Sequence, residues 1–229
     1  MTPDRFDVAV VIPVRDGGAH LGAALSSALD QDLPPLEILV VDDGSTDGSA
    51  GVARARGPRV RVVSQPPLGP GAARNRGVAE AAAPWIAFLD ADDRWLPSKL
   101  RLQRDALLVT PGAVASIGAI RQFFSPELGR ADVPTPEILA GVCTTALVVR
   151  RDAFLATGGY STDPGVAEAA EWWIRFQELR PIVASVSEVI AERRLHGKNR
   201  GVLRAELRHH YVRLAKAALD RRRTREAGP

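Results

Sequence analysis

Apolar residues come in short, nearly unbroken runs early in the chain: "VAVVIPV" (8–14), "LEILVVD" (36–42), "VRVVSQ" (60–65) and "WIAFLD" (85–90). Runs this short and this rich in Val and Ile read as strands covered on both faces, as in a parallel sheet with helices on either side. Between them the apolar positions take helical spacing, in "AHLGAALSSALDQ" (19–31), "TDGSAGVARAR" (46–56) and "GAARNRGVAEAAA" (71–83). Strand alternating with helix predicts parallel strands joined by right-handed crossovers. Residues 8–90 are therefore expected to form a Rossmann-like open sheet, whose ligands sit beyond the carboxyl ends of the strands.

Further along, the alternation loosens. "LPSKLRLQRDALLV" (96–109) predicts a helix with Pro97 near its first turn. "AVASIGAIRQFF" (113–124), "CTTALVVRR" (143–151) and "PIVASVSEVIAERR" (181–194) read as further strands, the first two separated by a Pro-rich loop (125–136). "GVAEAAEWWIRF" (165–176) predicts a helix on which Glu168, Glu171, Trp172 and Arg175 share one face. That stripe is either a solvated ion-pair face or the edge of a catalytic site. A last helix is expected over 202–223, with Leu203, Leu207, Val212, Leu214 and Leu219 as its apolar positions. No internal repeat or flexible linker interrupts the pattern, so one α/β domain with a helical tail is expected.

Composition narrows the function classes. At 229 residues the chain can bury one good core, and no run approaches the roughly 20 apolar residues of a membrane span. "MTPDRFDVAVVIPV" places two aspartates ahead of its short apolar run, a poor secretory signal. The single cysteine, Cys143, excludes an internal disulfide and suits a reducing cytosol, so a cytoplasmic protein is expected. Cys143 itself reads as a small buried residue rather than a nucleophile. From Arg200 to Pro229 nine basic residues face three acidic ones, a surplus of six, whereas the whole chain carries +3; residues 1–199 are thus about −3. The basic tail reads as a solvated helix face, with contact to the inner face of an anionic membrane as the other reading. Nucleic acid is not expected, because the tail has one aromatic, Tyr211, and no recognition motif.

Two strand ends carry carboxylates. "VDDGSTDGS" (41–49) sets Asp42 and Asp43 before a glycine turn, with Ser45 or Thr46 placed to cap the next helix. In "LDADD" (89–93), Asp90, Asp92 and Asp93 repel one another; a hard divalent cation, Mg²⁺ or Mn²⁺, would relieve that repulsion and hold a ligand's phosphates. "PLGPGAARNRG" (67–77) is a Gly-rich entry to a helix with Arg74, Asn75 and Arg76 in its first turns, suited to a phosphate or other anion. An exposed, Arg-bearing helix is the alternative.

"VVIPVRDGG", "EILVVDDGSTD", "GPGAARNRGVAEA" and "PWIAFLDADDRWLPSKLRLQ" follow one another in the order and spacing of family 2 of the GT-A-fold glycosyltransferases. The chain resembles the short, single-domain bacterial members. The likeness covers 8–103, and runs more loosely through "CTTALVVRRDAFLATGGY" (143–160) to "RRLHGKN" (193–199). It implies a GT-A domain over 1–200, with a nucleotide-binding half (1–95) and an acceptor-side half (96–200), followed by the basic tail (201–229). It also implies a nucleotide-diphosphate sugar as donor, with a UDP-sugar expected, and Mn²⁺ or Mg²⁺ as cofactor. Pro13, Arg15, Asp42 and Asp43 would hold nucleobase and ribose; Arg15 and Asp16 stand where Tyr and Asn are usual, so base contacts would differ. The family's DxD motif falls on Asp90-Ala91-Asp92, followed by Asp93, with carboxylates on sugar or ribose and on the metal. His196 would complete the metal site, and Arg74 would lie near the diphosphate. The reaction implied is attack of an acceptor hydroxyl on the anomeric carbon, with a carboxylate taking the proton and inversion of configuration.

The base is where the chain departs from the family, which commonly uses the Asp of a Glu-Asp pair ahead of aromatics and an Arg. Aligned through Trp172, Trp173 and Arg175, Glu168 takes the Glu place, Ala169 the Asp place and Glu171 a later acidic place. Alanine accepts no proton. Three readings follow: Glu171 or Glu168 is the base; the chain binds a nucleotide sugar, or acts as a partner protein, without efficient transfer; or the base comes from elsewhere, such as Asp163. Trp172 and Trp173 are expected to shape the acceptor pocket, with core packing as the alternative, for Trp173 above all. The acceptor could be a glycan, a lipid carrier, a small molecule or a peptide. A nucleotidyltransferase ranks below, since "PVRDGGAH" is a pale version of the basic glycine loop that class uses after its first strand.

Overall fold

The computed structural model describes residues 6–126, 138–139, 143–163 and 167–196. β1 (Val8–Val14), β2 (Glu37–Asp42), β3 (Val60–Ser64) and β4 (Trp85–Phe88) alternate with α1 (Gly18–Leu29), α2 (Ser49–Arg54) and α3 (Pro70–Glu80). Because successive side chains of a strand point to opposite faces, the unbroken apolar runs feed two cores. Val8, Val10 and Ile12 of β1, Ile38 and Val40 of β2 and Ala87 of β4 pack with Leu21, Leu25 and Ala28 of α1. Ala9 and Val11, Leu39 and Val41, and Ile86 and Phe88 pack with Ala73 and Val78 of α3. Gly77 lets α3 lie directly on β1, since a Cβ there would collide with the Val11 side chain.

The strand order is β3-β2-β1-β4 followed by β8 (Val148–Arg150), β6 (Ala115–Phe124), β9 (Val183–Leu195) and β5 (Arg94–Trp95), with β7 (Ile138–Leu139) pairing β6 off this path. The first four strands are all parallel, as the alternation predicts. β2 and β4 flank β1 on opposite sides, so the strand order reverses there, the place where open α/β sheets bind ligands beyond the carboxyl ends of their strands. Beyond β4 the sheet is mixed. β8 runs antiparallel to β4, β6 antiparallel to β8, and β9 parallel to β6.

Three elements differ from the pattern-based expectation. The predicted strand over 143–151 is a 3-10 turn (Thr144–Ala146), then β8, with α5 (Arg151–Ala156) already begun at its last residue. A two-residue strand, β5 (Arg94–Trp95), pairs with β9 immediately after the aspartate triplet. α4 (Lys99–Leu108) starts two residues beyond Pro97, with Ser98 at its N-cap. α6 (Glu168–Glu178) forms as expected, and β7 is short (Ile138–Leu139). The expected helix over 202–223, and with it the basic tail, lies outside the described residues, as does most of the Pro-rich loop. No helix among the described residues is long and apolar enough to cross a membrane.

Candidate active site

The chain leaves β4 into a tight turn, with Asp93 N donating to Asp90 O (3.0 Å). The turn gathers Asp90, Asp92 and Asp93, each offering an oxygen within 4.8 Å of the others. Their surroundings then separate them. Asp93 is buried; Thr145 Oγ1 donates to its Oδ2 (2.7 Å) and Arg194 N to its Oδ1 (3.0 Å). Burial first, then the charges of Asp90 and Asp92, hold its carboxyl well above the usual carboxylate range. Asp90 and Asp92 are about a third exposed: Asp90 takes a hydrogen bond from Arg74 Nη2 (2.6 Å), and Asp92 Oδ2 lies 2.8 Å from His196 Nε2. The three aspartates could hold a divalent cation, and the His196 ring faces Asp92 beside them. Asp93, whose two oxygens each accept a hydrogen bond, also braces the turn. Ala91 is half-buried against the first core.

The brace extends inward. Trp95 Nε1 donates to Thr145 O (2.9 Å), and Gln103 Nε2 donates to Ala146 O (2.9 Å) and Ser116 O (3.0 Å). Lys99 is fully buried beside them, its Nζ 2.6 Å from Gln103 Oε1 and 4.2 Å from the Trp95 ring centroid, and burial pushes its pKa well down. The Cys143 thiol, half-buried next to this turn, is pushed up to about 11 by burial and then by Asp93 and Asp90, so it stays protonated. Thr145, Arg194 and Lys99 carried no sequence signal. Nor did His20, whose ring sits 5.4 Å from that of His196.

The loops after β1 and β2 are laced together. Asp16 N donates to Ser45 Oγ (3.1 Å), Thr46 N to Asp16 Oδ1 (2.7 Å), Gly17 N to Ser49 Oγ (3.1 Å) and Gly18 N to Asp47 Oδ2 (2.9 Å). Ser45 and Thr46 therefore hold Asp16 in its left-handed conformation (φ 50) and do not cap α2, whose N-cap is Gly48. Arg15 is exposed on this loop, Pro13 is half-buried, and Asp42 is buried with one oxygen receiving Ser45 N (3.1 Å). Asp43 is committed to the chain itself: it accepts from Gln65 Nε2, Leu68 N and Gly69 N at 2.8–2.9 Å, fixing the entry to α3.

Arg74, expected near a diphosphate, is buried at the back of the site. Its Nη2 bonds Asp90 and its Nη1 bonds Glu168 (3.0 Å), while its Cζ lies 5.6 Å from the Tyr160 ring centroid. Burial works against its charge, but Asp90, Tyr160 and Glu168 outweigh it and raise its pKa. Asn75 secures the same contact, exchanging two 2.8 Å hydrogen bonds with the Tyr160 backbone. Glu168 is thereby joined to the aspartate cluster through one guanidinium. Glu171 is not: both its oxygens take Arg175 (2.5 and 2.6 Å), which also donates to the Thr157 and Gly159 carbonyls. Ala169 packs against the second core. The expectation that Trp172 shapes an acceptor pocket needs correction. Trp172 is 1% exposed, stacked on Phe176 (4.9 Å) with its Nε1 donating to Thr157 Oγ1 (2.7 Å), so it offers no face to a ligand. Trp173 is half-buried at the edge of that core. Asp163 is exposed on the segment after Tyr160.

A parallel Rossmann-like half that carries carboxylates at its strand ends and passes into a mixed sheet defines a GT-A fold. Solved structures with this fold are similar over most of the chain. "S. aureus TarS 1-349 in complex with UDP-GlcNAc" superposes with a TM-score of 0.73 at 15% identity, over 87% of this chain and 61% of that one. "Mannosyltransferase PcManGT from Pyrobaculum calidifontis in complex with GDP-Man and Mn2+" gives 0.70 at 19% identity, over 95% and 66%. The chain belongs to glycosyl transferase family 2, whose profile matches residues 9–152. Curated relatives include the succinoglycan biosynthesis protein ExoU of Rhizobium meliloti (strain 1021), 36% identical over 141 residues, 58% of this chain and 40% of ExoU. The uncharacterized glycosyltransferase YibD of Escherichia coli (strain K12) is 36% identical over 94 residues, 40% of this chain and 27% of YibD. The chain thus spans less than half the length of these relatives.

Proposed function

We propose that the protein transfers a sugar from a nucleotide-diphosphate donor to an acceptor hydroxyl, with residues 1–95 forming the donor half and 96–200 the acceptor half. The observation that carries this reading is the Arg74 bridge, which joins a glutamate of α6 to the aspartate cluster at the carboxyl end of β4. Family membership and likeness to structures solved with UDP-GlcNAc and with GDP-Man and Mn²⁺ support the donor class. Asp92 and His196, with Asp90, would hold Mn²⁺ or Mg²⁺; when bound, the cation would neutralise charge growing on the departing diphosphate.

The chain's own residues do the rest. Asp42 and the laced loops after β1 and β2 frame the nucleoside end, with Pro13 and Arg15 beside it. Glu168 receives the acceptor's proton as that oxygen bonds the anomeric carbon and the bond from that carbon to the diphosphate oxygen breaks. A single displacement with one base on the acceptor side inverts the anomeric centre. Glu168→Gln keeps the shape and removes the base, so turnover at saturating donor should fall by on the order of 10²–10⁴-fold with nucleotide affinity kept. Unchanged turnover in that variant would remove Glu168 from the role.

A further inference from the structure

The far end of the sheet carries charge that this reading leaves unused. Trp95, Ile120 and Ala191 are buried in the first core, so their neighbours Arg94, Arg121 and Glu192 point to the opposite face. There they form a row: Arg94 is the register partner of Glu192, and Glu192 that of Arg121. A single carboxylate serves both guanidiniums. Arg94 Nη2 lies 2.9 Å from Glu192 Oε2, and Arg121 Nη2 takes Oε1. In the next row Phe123 is the partner of Arg194, and its ring centroid lies 4.3 Å from Arg94 Cζ and 4.6 Å from Arg194 Cζ.

Arg94 and Arg121 keep 40% and 48% of their side chains exposed, against 13% for Glu192. Arg94 Nε is shut off from solvent with no hydrogen-bond partner. Two exposed arginines share this one shielded glutamate, which can neutralise only one of them. The second core draws on β6 only as far as Ile117 and on β9 only at Val183, so among the described residues neither core covers the patch. It also abuts the candidate metal turn: Arg94 follows Asp93, and Arg194 Nε donates to Asp92 O (3.0 Å). Guanidiniums held in place by a shared carboxylate, beside an aromatic ring, suit the planar or tetrahedral oxyanion of a ligand.

We propose that this face is the subsite for a negatively charged acceptor, whose carboxylate or phosphate sits between Arg94 and Arg121 beside Phe123 while its hydroxyl reaches the aspartate turn. The proposal rests on the transferase reading. Calorimetry in the presence of Mg²⁺ and a saturating nucleotide diphosphate tests it with three ligands: phenyl phosphate, phenyl β-D-glucuronide and the neutral phenyl β-D-glucoside. At least one anion should bind about tenfold tighter than the glucoside, the effect of one added charge-assisted hydrogen bond, and the two anions separate a phosphate-bearing acceptor from a carboxylate-bearing one. Arg94→Gln with Arg121→Gln should abolish the preference. Glu192→Gln, which removes the competing carboxylate, should strengthen it, a gain that misfolding cannot mimic. Three ligands binding alike, or a preference that survives the double substitution, would overturn the subsite and leave the transferase reading standing. A wild-type chain that binds no nucleotide would overturn both.

Discussion

Glu168 and Glu171 lie one helical turn apart on α6 and are similarly shielded, with 24% and 19% of their side chains exposed. What separates them is the partner. Arg175, four residues along, takes both oxygens of Glu171 and ties them to the Thr157 and Gly159 carbonyls, so this glutamate anchors the turn that follows α5. Glu171→Gln should cost about 1–3 kcal/mol of stability, because partly buried donors of Arg175 lose a charged acceptor. Thermal unfolding and donor turnover, measured on that variant, should show a lowered Tm with kcat within a few-fold of wild type. A kcat collapse at unchanged Tm would reverse the two assignments. The sequence placed both glutamates on one face but could not separate them, because the partner of Glu168 comes from a helix 94 residues upstream. The same limit misled the reading of Trp172: helical spacing tells which residues share a face, not whether that face meets solvent or the Phe154, Tyr160 and Phe176 rings.

Among the elements, the parallel strands and the loops that follow them were the most legible. Runs of apolar residues with no polar alternation have one stable placement, between two helical layers, and the residues at their ends are then at the crevice. What the loops do for one another was not legible, because hydrogen bonds between the β1–α1 and β2–α2 turns join residues about 30 positions apart. Ser45 and Thr46 look like caps in isolation and are latches in the fold. Asp43 shows the consequence most sharply. Asp43→Ala strips the acceptor from Leu68 N, Gly69 N and Gln65 Nε2, at about 1–3 kcal/mol for each donor left buried. Urea unfolding should show a lower midpoint, and limited proteolysis should open the chain near 65–69. A variant as stable and as protease-resistant as wild type would mean that this loop is held by other contacts.

At the scale of the whole molecule, the second half of the sheet escaped the sequence because its order follows from distant pairings. β5 is two residues long, and its partner β9 is the last described strand. That pairing suspends the aspartate turn across the sheet, and the buried Lys99, Gln103 and Thr145 support it from beneath. Lys99 also gives stability a pH dependence. Its folded pKa is depressed by burial, so between that value and the unfolded value of about 10.4 the unfolded chain binds more protons than the folded one. Stability from this group is full above the unfolded value and is lost as pH falls through the folded one. Lys99→Met should therefore flatten the rise in unfolding free energy as pH climbs toward the unfolded value of about 10.4. An identical slope in wild type and variant would place the proton uptake elsewhere.

On the proposed reading, the aspartate turn and the loops beside β1 hold a nucleotide sugar. The most direct test is calorimetric titration of UDP, GDP, TDP and CDP, with and without Mn²⁺, on the wild-type chain and on Asp92→Ala. One nucleotide should bind in a Mn²⁺-dependent way, with that binding lost in the variant while its unfolding transition stays cooperative. Failure of all four to bind the wild type, or binding that ignores both Mn²⁺ and the loss of Asp92, would contradict it.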